Sequence, residues 1–390
     1  MIQPADRLSL VSEYYFSLKL KEVAQLNAEG KDIISLAIGS PDMPPSEATI
    51  NVLCENARKA DVHGYQPTVG IPELRKAMAD FYKRWYDVDL DPSTEIQPLI
   101  GSKEGILHVT LALCNPGDKV LVPNPGYPTY TSLSKILGQQ IVNYDLLEEN
   151  SWQPDFDQLE SMDLSGVKLM WTNYPNMPTG GRATRELYEN LVAFAKRHDI
   201  VIVNDNPYSF ILNKEEHLSI LQVPEAKDCC IEFNSMSKSH NMPGWRVGML
   251  ATNKQFVGWI LKIKSNIDSG TFRPLQLAAA EAYNNSDDWH IHANIETYST
   301  RRQIAEEIMR VLGCRFDPKQ QGMFLWGRIP DDIADVEELT DKVLHEARVF
   351  ITPGFIFGSN GKRYIRISLC AKDEKMKEAL ERIKRMKSDE

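Results

Sequence analysis

Three features of the chain predict an α/β fold. Apolar runs short enough for strands alternate with helical patterns, each run closes on a polar residue, and the pattern changes after about residue 285. Strand, loop and helix in repetition give a mostly parallel, mixed sheet flanked by helices. With 390 residues the chain exceeds one ordinary core, so two domains are expected. Residues 46–285 form the large domain of this reading, and residues 1–45 with 286–390 form a smaller α+β domain.

The elements follow in order. Leu74, Met78, Phe81 and Trp85 share one face of a helix over 70–87, with Gly70 ahead of it and Pro72 in its first turn. Strands are expected at 95–100, 119–122, 167–172, 200–204 and 230–234. They lead into Gly101-Ser102-Lys103, Pro123-Asn124-Pro125-Gly126-Tyr127, Asn173, Asp205 and Ser235 respectively. Parallel sheets bind ligands beyond the carboxyl ends of their strands, and these polar residues all stand at such ends. Past residue 285 a polar helix is expected over 296–312 and a strand over 323–329. A helix bearing Leu339, Val343 and Ala347, a strand over 364–369 and a last helix with Met376, Leu380 and Ile383 follow. The closing run Lys384 to Glu390 reads as a fraying helix end.

Composition narrows the function. Apolar residues at 42% and charged residues at 25% suit a soluble globular chain. A net charge of −10 argues against nucleic acid or an anionic membrane as partner. Cys54, Cys114, Cys229, Cys230, Cys314 and Cys370 show no metal-ligand spacing, which suits a reduced, cytoplasmic chain. The vicinal Cys229-Cys230 pair enters a strand and is expected to be buried and inert. His290 and His292 lack a third ligand nearby, so no metal site is expected. Asp6, Arg7 and Glu13 precede any apolar run, unlike a signal peptide, and no stretch approaches the ~18 apolar residues of a membrane helix.

The chemistry centres on Lys238, within Ser235-Met236-Ser237-Lys238 and ahead of Pro243-Gly244-Trp245-Arg246-Val247-Gly248. Its amine can form a Schiff base with an aldehyde, while Ser235 and Arg246 can hold a phosphate; pyridoxal 5′-phosphate carries both groups. Gly244 and Gly248 are expected to let the backbone pass close by. Alone, the segment also reads as an exposed lysine in a Ser-rich loop. Asp205 at a strand end either caps a helix or holds a pyridine nitrogen. Gly101-Ser102-Lys103-Glu104-Gly105 opens a helix, which suits phosphate but is also an ordinary cap. Tyr127 either stacks on a cofactor ring or is buried in a Pro-rich turn.

Together these segments resemble the class I/II aminotransferases, fold-type I pyridoxal-phosphate enzymes with an aspartate aminotransferase-like fold. The motifs occur in the family's order from about residue 36 to 368. The resemblance implies that Lys238 is the Schiff-base lysine, that Asp205 holds the pyridine nitrogen, and that Tyr208, three residues on, bonds the cofactor's 3′ oxygen. It implies phosphate contacts from Ser102, Lys103, Ser235 and Arg246, a ring contact from Tyr127, and cofactor contacts from Asn173 and Asn176. Tyr65, in His63-Gly64-Tyr65-Gln66-Pro67, would reach the phosphate of a second subunit, and Ser269-Gly270 would lie at the same homodimer boundary. Gly39 would touch the substrate carboxylate, and Arg366, in Tyr364-Ile365-Arg366-Ile367-Ser368, would clamp it, a bidentate task suited to guanidinium. The Gly-Ser-Lys-Glu-Gly form is similar to the branch that includes diaminopimelate aminotransferases. One departure stands out: the family usually carries Asn before Pro-Thr-Gly, whereas here Met177 precedes Pro178-Thr179-Gly180. A thioether is a poor partner for the 3′ oxygen, so Tyr208 is expected to carry more of that contact unless Asn176 or a water reaches in.

The resemblance implies an aminotransferase that moves an amino group between an L-amino acid and a 2-oxo acid by ping-pong kinetics. A β-lyase of the same fold is the alternative, since both begin by removing the α-proton. A catalytically silent regulator of this fold is less well matched, because Lys238 is present and no length is spare for a DNA-binding domain. No position offers a second substrate arginine, so aspartate, an aromatic amino acid, alanine and diaminopimelate all stand open as donors.

Overall fold

A computed structural model describes residues 2–11, 15–285 and 287–388, the side chain of Asp288 aside. Glu13, and Asp389 and Glu390 of the expected fraying end, lie outside the described residues. In chain order the strands are β1 (Ile34–Ser35), β2 (Ile96–Leu99), β3 (Lys119–Asn124), β4 (Gln140–Asp145), β5 (Val167–Asn173) and β6 (Val201–Asp205). They continue with β7 (Cys230–Ser235), β8 (Gly248–Ala251), β9 (Phe324–Arg328), β10 (Val349–Phe350), β11 (Thr352–Pro353) and β12 (Tyr364–Ser368).

A seven-stranded sheet has the order β2-β8-β7-β6-β5-β3-β4. Its pairings from β4 through β7 are parallel, and β8 runs antiparallel to both β7 and β2. The carboxyl ends of β2 through β7 therefore share one edge, and β8 starts from that edge. Alternation along each strand feeds two separate apolar layers. Leu169 and Trp171 pack with Ile106, Val109 and Ile260 of the helices Ser102–Leu113 and Lys254–Lys264. Met170 and Ile202 face the other layer, with Leu74, Phe81 and Leu191 of the helices Pro72–Tyr86 and Arg185–His198.

The helix at Pro72–Tyr86 ends where Asp87 adopts a left-handed backbone, one residue short of the expected end. Two strands of the large sheet, β4 and β8, went unanticipated. β4 is a half-exposed edge strand whose Gln140-Ile141-Val142-Asn143 run lacks a buried apolar signal. β8 is four residues long and begins inside the segment that carries Arg246. The expected helix at 296–312 spans Tyr298–Val311, preceded by a π-helical stretch at Ile291–Thr297.

Past the large sheet, β11, β12 and β9 form an antiparallel sheet, and β1 pairs in parallel with β10. The N-terminal helix Tyr15–Ala28 joins this part: Val23 and Ala37 pack with Leu344 and Phe350. One apolar cluster runs unbroken from Ile202 to Met323 and Ile365, so the two parts share packed side chains. β12 also holds the 36–39 loop in place. Ser368 N–H donates to Leu36 O at 2.7 Å, and Ser368 Oγ donates to Ile38 O at 2.8 Å.

Candidate active site

The strand ends at the shared edge surround a cavity of about 220 Å³. Ser102, Lys103, Tyr127, Asn173, Asp205, Tyr208, Ser235, Lys238 and Arg246 all line it, as does Met177. Five stretches of chain far apart in sequence thus converge through one topological fact, the parallel run of β2 to β7.

Asp205 is the last residue of β6. Its Oδ2 accepts a hydrogen bond from Tyr130 Oη at 3.0 Å, while its buried Oδ1 has no partner among the described residues. Burial pushes the carboxyl up to about 6, against the Tyr130 bond and the Lys238 charge, which pull it down. Tyr130 stacks on Trp171 with centroids 5.1 Å apart, which fixes the donor. Tyr130 was not singled out in the sequence; the signal was its place three residues after Tyr127, in the first turn of the helix Pro128–Ile136. Asn173, at the end of β5, ties the neighbouring strand ends: its Nδ2 donates to Asp205 O at 2.6 Å and its Oδ1 accepts from Met177 N–H at 2.8 Å.

Lys238 sits in the short helix Met236–Ser239, capped by Ser235, whose Oγ accepts from Ser237 N–H at 3.2 Å. Burial holds the ammonium below the ordinary lysine range, and the charges of Arg366 and Arg246 act in the same direction. Its Nζ donates to Gly39 O, which brings the N-terminal loop to the cavity. A side chain at Gly39 would run into the Phe324 ring, so the approach requires glycine there. Burial, with the charge on Asp205 adding to it, keeps Tyr208 protonated and therefore a donor.

The phosphate-like corner is built by close backbone approach. A Cβ at Gly248 would lie 2.8 Å from Ser102 N, and one at Gly101, whose φ is +74°, would collide with the Arg246 guanidinium. Arg246 itself donates to Pro243 O at 2.9 Å and to Ile100 O at 3.3 Å. Gly244 does not share this role: nothing lies within 4 Å of the Cβ it lacks, so the expected close passage belongs to Gly248 alone.

The remaining predicted residues stand outside the cavity lining. Arg366, in β12, lies between the rings of Phe324 and Phe357, with centroids 4.0 and 4.5 Å from its guanidinium carbon. Its Nη2 donates to Ala37 O at 2.7 Å and its Nη1 to Met177 Sδ at 3.3 Å. Met177 therefore links the cavity to Arg366. Asn176 is turned away: its Oδ1 accepts from Thr179 Oγ1 at 2.7 Å and its Nδ2 donates to Asn173 O at 3.2 Å, so both ends are spent inside the loop. Tyr65 is 96% exposed. The residue after it, Gln66, forms an antiparallel bridge with Gly270, which brings together the two segments expected at a subunit boundary.

His290 packs edge-on against Trp85 and Phe210, and His292 bonds Glu296 Oε2 at 2.6 Å. The vicinal cysteines differ: Cys230 is buried and Cys229 half-buried, with a sulfur separation of 3.8 Å.

The model of the family described as aminotransferase class I and II matches residues 31–383. An LL-diaminopimelate aminotransferase from Aquifex aeolicus is 40% identical over 99% of this chain and 100% of its own length. One from Halothermothrix orenii is 40% identical over 98% of both chains. Among solved structures, substrate-bound BacF from Bacillus subtilis superposes with a TM-score of 0.92 at 35% identity, over 99% of this chain and 98% of that one. An aspartate aminotransferase variant from Thermus thermophilus gives 0.91 at 25% identity, over 99% and 100%. The three whose names state an activity are aminotransferases, and the lyase alternative is not favoured. The chain belongs to the class I and II aminotransferases and is a pyridoxal-phosphate-dependent aminotransferase.

Proposed function

We propose that the cavity transfers the amino group of LL-diaminopimelate or a close analogue to a 2-oxo acid, with Lys238 as the base. The relatives' names support the donor. The observation that carries the site is Asp205 Oδ1, buried, unpartnered among the described residues and in the same cavity as Lys238. A buried polar atom without a partner is costly unless a ligand supplies one, and a pyridine N–H does so.

The residues fit the cofactor. Asp205 would hold its ring nitrogen, Tyr208 its 3′ oxygen, and Ser102, Lys103, Ser235 and Arg246 its phosphate, with Tyr127 and Asn173 beside the ring. When bound, pyridoxal phosphate supplies an electron-withdrawing ring that stabilises negative charge at the substrate α-carbon. Lys238 Nζ, kept less basic by burial, takes the α-proton and delivers it again later in the cycle. Arg366 orients the substrate by its α-carboxylate, with its guanidinium plane fixed between two rings. Gly39 O is bonded to Lys238, so a substrate carboxylate held there adjoins the base. The cations lining the cavity, Lys103, Lys238 and Arg246, are then all engaged, which leaves the distal end of the donor to other contacts.

The active unit of this proposal is a cytoplasmic homodimer in which Tyr65 of one copy serves the other. Its exposure, and the bridge from the adjacent Gln66 to Gly270, support this. All six cysteines are free, and among the described residues no helix is long and apolar enough to cross a membrane. We take residues 46–285 as one domain and residues 1–45 with 286–390 as the other. Rapid mixing of the loaded enzyme with LL-diaminopimelate, aspartate, phenylalanine and alanine tests the donor. LL-diaminopimelate should bleach the cofactor band fastest; a faster reaction with any of the others overturns the assignment.

A further inference from the structure

A partly buried ion cluster adjoins the phosphate corner and takes no part in the mechanism above. Lys264, at the end of the helix Lys254–Lys264, has only 3% of its side chain exposed. Its Nζ lies 2.6 Å from Glu104 Oε1 and 2.7 Å from Asp268 Oδ2. His108 Nε2 is 3.2 Å from Glu104 Oε2 and 3.5 Å from Asp268 Oδ2. Glu104, His108 and Asp268 have a spacing that would suit a cation, and the Lys264 ammonium already occupies that place.

Desolvating such ions is costly, and well-packed apolar residues often serve stability as well or better. What the cluster does provide is placement. Glu104 is the third residue of the helix Ser102–Leu113, where a glutamate usually returns to the N-cap amide. Here Oε1 instead accepts from Ile100 N–H at 2.7 Å, one residue further back. It thereby pins the Gly101 turn without using the helix's own first amides, which have no intrahelical acceptor and are the groups that suit an anion. Bonds from His108, Lys264 and Ile100 outweigh burial and hold the Glu104 carboxyl well below the usual carboxylate range, so it stays an anion. Asp268, the other anchor of Lys264, immediately precedes Ser269-Gly270, and Gly270 bridges to Gln66 beside Tyr65.

We propose that Glu104 is the positioning residue of the cofactor-phosphate turn, and that Lys264, clamped between Glu104 and Asp268, sets that turn against the segment leading to Tyr65. The proposal rests on the phosphate site assigned above. It is tested on the full chain stripped of cofactor, titrated separately with pyridoxal phosphate, pyridoxal and inorganic phosphate. Glu104→Ala should weaken pyridoxal phosphate and inorganic phosphate by about tenfold or more, the effect of losing a hydrogen bond to a charged group, with pyridoxal affinity unchanged. Glu104→Gln keeps an oxygen for Ile100 N–H and should recover part of the loss. Should Glu104→Ala fail to fold, Asp268→Asn, which loosens the second anchor of Lys264, should show the same selective loss in milder form. Unchanged phosphate binding in a folded variant overturns the proposal, as does an equal loss for pyridoxal, which would mark general damage. Arg246→Met separates the two readings: if it leaves the preference for pyridoxal phosphate over pyridoxal intact, the phosphate site itself is misassigned and the proposal falls with it.

Discussion

Asp205 should make the cofactor-free protein less stable as pH rises, and Asp205→Asn should remove that loss. The carboxyl is raised from 3.8 to about 6 by burial, with one oxygen bonded to Tyr130 and the other unpartnered among the described residues. A folded-state value above the unfolded one means the native chain holds the proton more tightly. Its contribution is therefore fully present below about pH 4 and lost as pH passes through about 6. At roughly 1.4 kcal/mol per pH unit of difference, the loss amounts to about 3 kcal/mol. Asparagine keeps an oxygen for Tyr130 and never ionises. Urea unfolding of the stripped wild type and the variant should therefore diverge by about 2–3 kcal/mol between pH 4 and pH 7.5, the variant being relatively more stable at the higher pH. With pyridoxal phosphate bound, the order should reverse at pH 7.5, because the carboxylate then faces a cationic ring nitrogen. Parallel pH profiles for the two stripped proteins would refute the reasoning, since they would mean that the carboxylate is already satisfied by water.

Arg366→Ala should lower kcat/KM for amino acids by about 3 kcal/mol of transition-state binding, as for a buried charge that loses its partner. Amines without a carboxylate should be hurt much less, and steady-state kinetics on matched pairs reads the difference. Met177→Asn should shift the pH midpoint of the cofactor's visible band downward, because an added donor to the 3′ oxygen favours its ionised form. Tyr208→Phe should then be more damaging in the natural background than alongside Asn, and an unmoved midpoint would mean that another group already makes the bond. Mixing inactive Lys238→Ala and Tyr65→Ala chains should restore activity in hybrid dimers, whereas full wild-type activity at a monomeric sedimentation mass would exclude the shared site.

Much of the catalytic edge could be read from the chain because parallel strands export their chemistry to their ends. A β-branched run that closes on Asp205, or a strand that closes on Ser235 three residues before Lys238, is a local pattern. The helix at 72–86 was legible for the same reason, since its apolar stripe and its proline lie within one segment. Strands that rely on neighbours for their burial were not: β4 is half-exposed at an edge, and β8 follows the lysine segment without a break in pattern. The contacts that tune the site are also tertiary. Arg366 and Met177 are 189 residues apart, and their bond depends on the fold bringing β12 to the loop that follows β5. In sequence Met177 read as a lost amide or a filler beside the ring; in the fold its sulfur accepts from the guanidinium. Asn176, plausible as a cofactor contact by position, is consumed by its own turn, because Thr179 and Asn173 satisfy it first. The burial of Lys264 between Glu104 and Asp268 likewise follows from two distant segments meeting, its own helix end and the helix that carries Glu104. Sequence determines which groups are available and on which strand or helix end they stand. Only packing decides which of them have already spent their hydrogen bonds on each other, and so which remain to act on a ligand.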